Sequence, residues 1–446
     1  GLANNSTCEA STGLAPASGQ TYTWSLPAAP ALPISATFTG VTTTAMTLNW
    51  VDNSTNEANF IVQRSLDNIT FTTVTTIPSS SIATTGTPYL YNATGLFNNT
   101  LYYWRVFAAN ANCGSGFLAA QQATLPGTLC GTYTVGPTGA YTSLTAAFAA
   151  VATNGVSCPL VFDLQAAYVS TVETFPLTIP FLGNGPSGII TVRPELGATN
   201  LSITSASTQT LNFSGAQYII FDGRPGSLGT VRHLTIENTS TTGVAAQFVN
   251  DGANDGFNYC TIRGVNTSAS SGVVLFSTAV TGGIGNSNNS ITNCELRDGA
   301  TTPNNLVYSV NFTANVFNTN NTFSNNIFHD WFSAGTVNSA ITASTGNTAW
   351  VISNNSFYQT ATRTFTVGNT NFIVNMASGS GTTTGNYNIT GNYFGGTAAL
   401  CGGTAYTTAG TVAHRFIALQ MNTGTGGANS IQGNTFRNFN HSTTNA

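Results

Sequence analysis

The sequence predicts an all-β protein in two parts: a region of short alternating strands, then a parallel β-solenoid. Three observations predict it. Strict period-two alternation fills residues 31 to about 126, an apolar-x-x-Asn-x-apolar motif recurs through the second half, and only one segment of the 446 residues has helical spacing. Composition agrees with this. Charged residues are 5% of the chain against 41% hydrophobic, and all 10 basic residues are Arg. Thr, Ser and Asn supply the polarity, which suits an extracellular protein whose surface is hydroxyl and amide. No segment approaches ~18 uninterrupted apolar residues, so no membrane span is expected. A net charge of −4 leaves no basic footprint, so nucleic acid is not an expected partner.

Residues 1–30 are polar and then Pro-rich ("LPAAPALP", 26–33), which reads as an N-terminal segment or linker. In 31–126 the strands "TLNW" (ending at Trp50), "NFIVQRS" (59–65) and "TLYYWRVFAAN" (100–110) follow in turn. Alternation places Tyr102, Trp104, Val106 and Ala108 on one face, with Trp50 available to pack on them. These residues, with the approach through Gly95, Leu96 and Thr100 to Tyr102, resemble a nearly complete fibronectin type III module. The resemblance implies a β-sandwich in which the Tyr102 hydroxyl reaches back to backbone. It also implies a spacer or binding platform rather than chemistry.

The last domain, 127–446, opens with "YTVGPTGAYTSLTAAFAAVATNG". Leu144, Phe148 and Val151 sit at i, i+4 and i+7, and Gly155 follows as a stop, so a helix is expected at 142–154. The 7 Cys form no CxxC pair, which argues against zinc. Cys130 and Cys158 are a candidate pair bracing the start of this domain, and an odd count leaves at least one thiol unpaired or intermolecular.

The repeat itself is "ITNCEL" (291–296), "FSNNIF" (323–328), "ISNNSF" (352–357), "ITGNYF" (389–394) and "IQGNTF" (431–436), with looser members at 233–236 and 258–262. A second apolar strand falls between copies each time. Strand, bend, strand at this interval is the signature of a solenoid whose coils stack about 4.8 Å apart. The Asn is expected to take left-handed geometry at the bend. It is also expected to hydrogen-bond along the axis, making Asn326, Asn355, Asn392 and Asn434 a structural ladder.

This half resembles the right-handed parallel β-helix of the pectate-lyase-like superfamily, on the repeats, on "TVGPTGAYTSLTAAFAAV" and on "GAQYIIFDG" (215–223). The resemblance covers about 128 to 446 and implies an N-terminal capping helix. Joined to a type III module, it also resembles large secreted surface proteins of Bacteroidetes-type bacteria, which implies an extracellular or cell-surface location. Lyases of this fold need a strong base beside a Ca²⁺ site; there is no Lys and no Asp-rich coil. Hydrolases of this fold need paired acids, and their Asn-Thr-Asp, Asp-Asp, Gly-His-Gly and Arg-Ile-Lys motifs are missing. "NDGANDG" (250–256) lacks the terminal Glu of a Ca²⁺ loop and reads as tight turns. No cofactor or metal is expected.

What remains is one outward column: Glu237, Arg263, Arg297, His329, Tyr358, Gly395 and Arg437, flanked by Glu295, Asp298 and Asp330. In a chain this poor in charge, Arg263, Glu295, Arg297, Asp298, His329 and Tyr358 form a candidate contact face for a glycan or a cell-surface protein. His329 next to Asp330 invites a catalytic reading, but alternation sends neighbours to opposite faces, so no dyad is expected. After the last repeat no amphipathic cap is visible. Continuation past Ala446, or self-association through an uncapped C-terminal coil, is therefore expected. The expected function is a non-enzymatic extracellular structural or adhesive protein. A polysaccharide-degrading enzyme and a filament subunit are the alternatives.

Overall fold

The computed structural model describes residues 28–443 except 81, 112 and 380–383. Most of the expected N-terminal linker (1–27) and Cys8 lie outside the described residues. The chain is nearly all β and divides into two compact units, Gly1–Thr128 and Leu129–Ala446.

Among its described residues, the first unit has seven antiparallel strands: β1 (Ile34–Thr39), β2 (Met46–Val51), β3 (Asn59–Ser65), β4 (Thr72–Pro78), β5 (Pro88–Ala93), β6 (Leu101–Ala109) and β7 (Leu118–Ala123). They form two sheets, β1-β2-β5 and β4-β3-β6-β7. Alternate residues of both sheets fill one core around Leu48, Trp50, Phe60, Val62, Tyr102, Trp104 and Val106. The Tyr102 hydroxyl accepts the Phe97 N–H at 2.8 Å, fixing the approach to β6.

The second unit is a right-handed parallel β-solenoid of about nine turns. Its helix α1 (Leu144–Asn154) turns Leu144, Ala147, Phe148 and Val151 into the core. Ser143 caps its N-terminus by accepting the Ala146 N–H at 3.1 Å. The Glu173 carboxylate accepts the Leu144 and Thr145 N–H groups at 2.7 and 2.8 Å, where the helix dipole favours an anion. Gly155, at φ 63°, ends the helix. A Cys130–Cys158 disulfide joins the first two strands, while Cys260, Cys294 and Cys401 are free and buried.

Three long parallel sheets run the length of the solenoid. Sheet 1 has 10 strands, from Leu129–Val135 to Ser430–Gln432; sheets 2 and 3 have 8 each, from Leu177–Pro180 to Arg415–Met421 and from Leu201–Ser205 to Thr435–Phe436. Identical residues stack in register, buried at Phe328, Phe357 and Phe394 and half-exposed at Phe436 on the last coil. The Phe328, Phe357, Phe394 and Phe436 rings lie 4.7, 5.0 and 4.6 Å apart and nearly parallel.

The bend between sheets 1 and 3 carries a buried polar ladder. Asn355 donates its side-chain N–H to Phe323 O at 2.9 Å, and its carbonyl accepts the Asn326 main-chain N–H at 2.8 Å. Asn392 repeats this toward Ile352 O and Asn355, and Asn434 toward Ile389 O and Asn392, all at 2.7 to 2.9 Å. Asn326 Oδ1 accepts the Cys294 N–H, and Cys294 Sγ accepts the Cys260 N–H at 3.3 Å. The expectation that the ladder residue itself is left-handed is corrected here. Positive φ belongs to the residue before it: Asn293, Asn325, Asn354, Gly391 and Gly433, and, less comfortably for its bulk, Tyr259. One residue turns the chain, and the next returns to extended geometry with its amide pointing in.

A second ladder enters sheet 1, unannounced by the repeat motif. Asn289 Oδ1 accepts the Asp255 N–H and Asn321 Oδ1 the Asn289 N–H, at 2.9 and 3.0 Å. Asn289 and Asn321 donate to Gly252 O and Asn286 O, both at 2.9 Å. Asp255 occupies the same position as an acid. Its Oδ1 accepts the Ile219 N–H, but its buried Oδ2 has no partner. The flanking "NDGANDG" segment forms turns, with positive φ at Asn250, Asp251 and Asn254.

Two outcomes follow for stability. Asn355→Ala strips partners from the buried Asn326 N–H and Phe323 O, and a denaturant midpoint should register about 3 kcal/mol of loss. Burial pushes the Asp255 carboxyl well above its ordinary 3.8. The folded state therefore holds a proton that the unfolded chain releases, and stability falls as pH rises above about 4. Asp255→Asn should flatten that slope and gain about 1–3 kcal/mol at pH 7, read by unfolding at pH 4 and pH 8.

Candidate functional site

Beyond the first coils, the outward positions of sheet 1 are uncharged: Asn258, Ser290, Thr292, Thr322, Ser324, Ser353 and Thr390. Charge gathers on sheet 3 instead. Register places Glu237 beside Arg263 and Arg263 beside Arg297. Two neighbouring arginines should repel, but each turns to its own acid. Arg263 bonds Glu237 at 2.8 Å, while Arg297 lies 3.5 Å from Asp298 and 4.0 Å from Glu295.

The next coil brings the strand Ile327–His329, with Phe328 inward beside Leu296. Alternation predicts Asp330 on the opposite face from His329, and the structure overturns this. The strand ends at His329 and Asp330 takes φ 61°, which swings its carboxylate back under the imidazole. His329 Nδ1 lies 2.8 Å from Asp330 Oδ2, and Nε2 lies 3.1 Å from Glu295 Oε1 on the preceding coil. The outward His329 is not solvent-facing either: it is 8% exposed, and Tyr358 of the following coil stacks on its ring at 4.9 Å, 2° from parallel.

Asp330 is held as firmly as the ring it contacts. Its Oδ1 accepts the Thr360 N–H and hydroxyl, both at 2.9 Å, and a bond from the Arg363 guanidinium. Arg363 also donates to Gln359, whose amide donates to Trp331 O at 2.7 Å. Thr360, Gln359 and Arg363 belong to the following coil and were not among the sequence-predicted residues. Arg232, from the loop before the strand Leu234–Asn238, reaches across to donate to Asn293 O at 2.8 Å. The column is interrupted at Gly395, where a Cβ would lie 2.0 Å from Arg437 O, and Arg437 itself is exposed and donates to Leu400 O at 3.4 Å.

The electrostatics follow from this geometry. Burial opposes charge on His329, but hydrogen bonds to Asp330 and Glu295 outweigh it and hold the imidazole up at about 8. Burial likewise opposes charge on Asp330, yet its bonds to His329 and Thr360 bring it down to about 2. The bond to His329 also lowers Glu295. Burial, and then the Asp330 charge, raise Asp298, and burial pushes the Tyr358 phenol up to about 12. A neutral imidazole acts as a base through a bare nitrogen. Here both ring nitrogens face carboxylates, so the protonated ring is a clamp between two coils.

No family model and no curated protein matches the sequence. Among solved structures, a crystal structure of titin domains aligns over 22% of this chain and 33% of its own length, at 19% identity and a TM-score of 0.19. The match therefore spans about a third of that titin chain. No helix among the described residues is long and apolar enough to cross a membrane.

The clamp predicts an alkaline dependence of stability. His329 binds its proton more tightly folded, at about 8, than unfolded, at 6.5. Its contribution is complete below pH 6.5 and is lost as pH rises through 8; the shift is worth about 2 kcal/mol. Thermal melting between pH 6 and pH 9 should show this loss, and His329→Gln should largely abolish the slope.

Proposed function

We propose that this chain is a non-enzymatic extracellular structural or adhesive protein, in which a fibronectin type III spacer precedes a β-helix stalk of the pectate-lyase-like kind. Sheet 3 is its contact face for a glycan or a cell-surface protein, through Arg263, Glu295, Arg297, Asp298 and the rim of Tyr358. The observation that carries this reading is the internal pairing of the charged column. His329 and Asp330 are committed to each other and to neighbouring coils, so this pair does not offer a free acid and base to a scissile bond. The half-exposed Arg263 and Arg297 present guanidinium edges suited to hydroxyl or carboxylate groups.

The location outside the cell belongs to the same proposal. The polar surface is built from hydroxyls and amides, and one disulfide joins the first strands of the solenoid.

Incubating the purified protein with a panel of neutral and acidic glycans should yield no cleavage products. On the same panel immobilised, capture should fall at least ~10-fold in Arg263→Ala/Arg297→Ala and stay unchanged in Asn212→Ala on sheet 2. Specific cleavage that disappears in His329→Ala or Arg297→Ala would overturn the non-enzymatic reading.

A further inference from the structure

Two of the 4 histidines, neither of them part of the sheet 3 cluster, come together beside the last coil. His414 immediately precedes the strand Arg415–Met421, and His441 ends the strand Phe439–His441, where it pairs in register with Thr408. Their ring centres are 4.9 Å apart.

Each ring has one nitrogen occupied in the way a metal ligand requires. His414 is 6% exposed and stacks on Phe365 at 4.1 Å. Its Nδ1 lies 3.1 Å from Val412 O. A carbonyl only accepts, so Nδ1 carries the proton and the lone pair falls on Nε2. That Nε2 is buried and has no hydrogen-bond partner. His441 Nδ1 lies 2.6 Å from the Thr408 hydroxyl, which can accept its N–H and leave Nε2 bare as well. An outer acceptor on one ring nitrogen and a lone pair on the other is the usual state of a metal-bound imidazole. Two imidazoles on one tetrahedral ion, with metal–nitrogen bonds of about 2.0–2.1 Å, place their ring centres about 5 Å apart.

We propose that His414 and His441 bind a divalent transition metal of the class that prefers imidazole: zinc, copper or nickel. The protein supplies two nitrogens, and water completes the coordination. Among the described residues no third His, Cys, Asp or Glu joins them, so the hard ions calcium and magnesium are not candidates. A bound ion ties the segment entering Arg415–Met421 to the final strand.

Calorimetric titration of the whole protein with Zn²⁺, Ni²⁺ and Cu²⁺ in chelator-free buffer tests this. One saturable equivalent is expected. Binding should weaken at least ~10-fold in His441→Ala, in His414→Phe, which keeps a ring on Phe365, and in Thr408→Val. His233→Gln should leave it unchanged, and zinc should raise the melting temperature of the parent protein but not of His441→Ala. No saturable binding of any of the three ions would overturn the proposal. So would affinity that is unaltered in both folded His441→Ala and His414→Phe.

Discussion

The structure depends on one constraint: the bends entering and leaving sheet 1 bury backbone donors and acceptors that find their partners on the neighbouring coil. A turn of the solenoid has no hairpin partner at its corners, and unpaired buried peptide groups are costly. The inward amide of one coil meets this need by accepting the N–H of the coil before it while donating to a carbonyl of that same coil. Asn326, Asn355, Asn392 and Asn434 do so at one corner, and Asn289 and Asn321 at another. Register follows directly. A slip of one residue would break every rung and expose the stacked rings of Phe328, Phe357 and Phe394.

With polarity satisfied inside by amides, the outer faces need few charges, and the chain carries few. Beyond the first coils, where Arg193 pairs with Asp163, the exception is sheet 3, whose charges pair largely between coils while Arg263 and Arg297 stay partly exposed. Glu237 with Arg263, Glu295 with His329 and Asp330 with Arg363 each join residues from adjacent coils. Salt bridges at exposed positions contribute little. These are half-buried or buried, and at the last pair Thr360 donates to Asp330 while Gln359 accepts from Arg363, so their main effect is to fix which coil lies against which.

The parts of this fold legible in sequence were those with a period. The repeat located the first ladder and the strands of sheet 3, and helical spacing located α1 to within a residue or two. What escaped was aperiodic or conformational. Alternation separates His329 from Asp330 only while the strand lasts, and a left-handed Asp330 reunites them. The signal lay in the residue type, because Asp tolerates positive φ, but nothing in the spacing marked where the strand stops. Arg232 and Arg363 reach the cluster from loops, whose paths the pattern does not encode. The left-handed position lies one residue before the one the repeat motif predicts, at the Asn or Gly that precedes most ladder residues.

The ladder's substitutions show what it demands, which is a donor and an acceptor on one short side chain. Asn has both, fixed in direction by its planar amide. Cys has both in weak form: Cys260 Sγ donates to Phe221 O on the coil before it, and Cys294 Sγ accepts the Cys260 N–H. These softer contacts come at the earlier copies of the repeat, and before Cys260 the turn is held by Tyr259 where Asn or Gly holds it later. An ionised Asp has only acceptors, and Asp255 meets half the demand: its Oδ1 accepts the Ile219 N–H, its buried Oδ2 has no partner, and burial favours the neutral form. Asn and thiol are thus graded solutions to one geometric problem, and the acid is a partial one. The buried free thiols of Cys260 and Cys294 are rungs of the stack, shielded from oxidants by the coils they join.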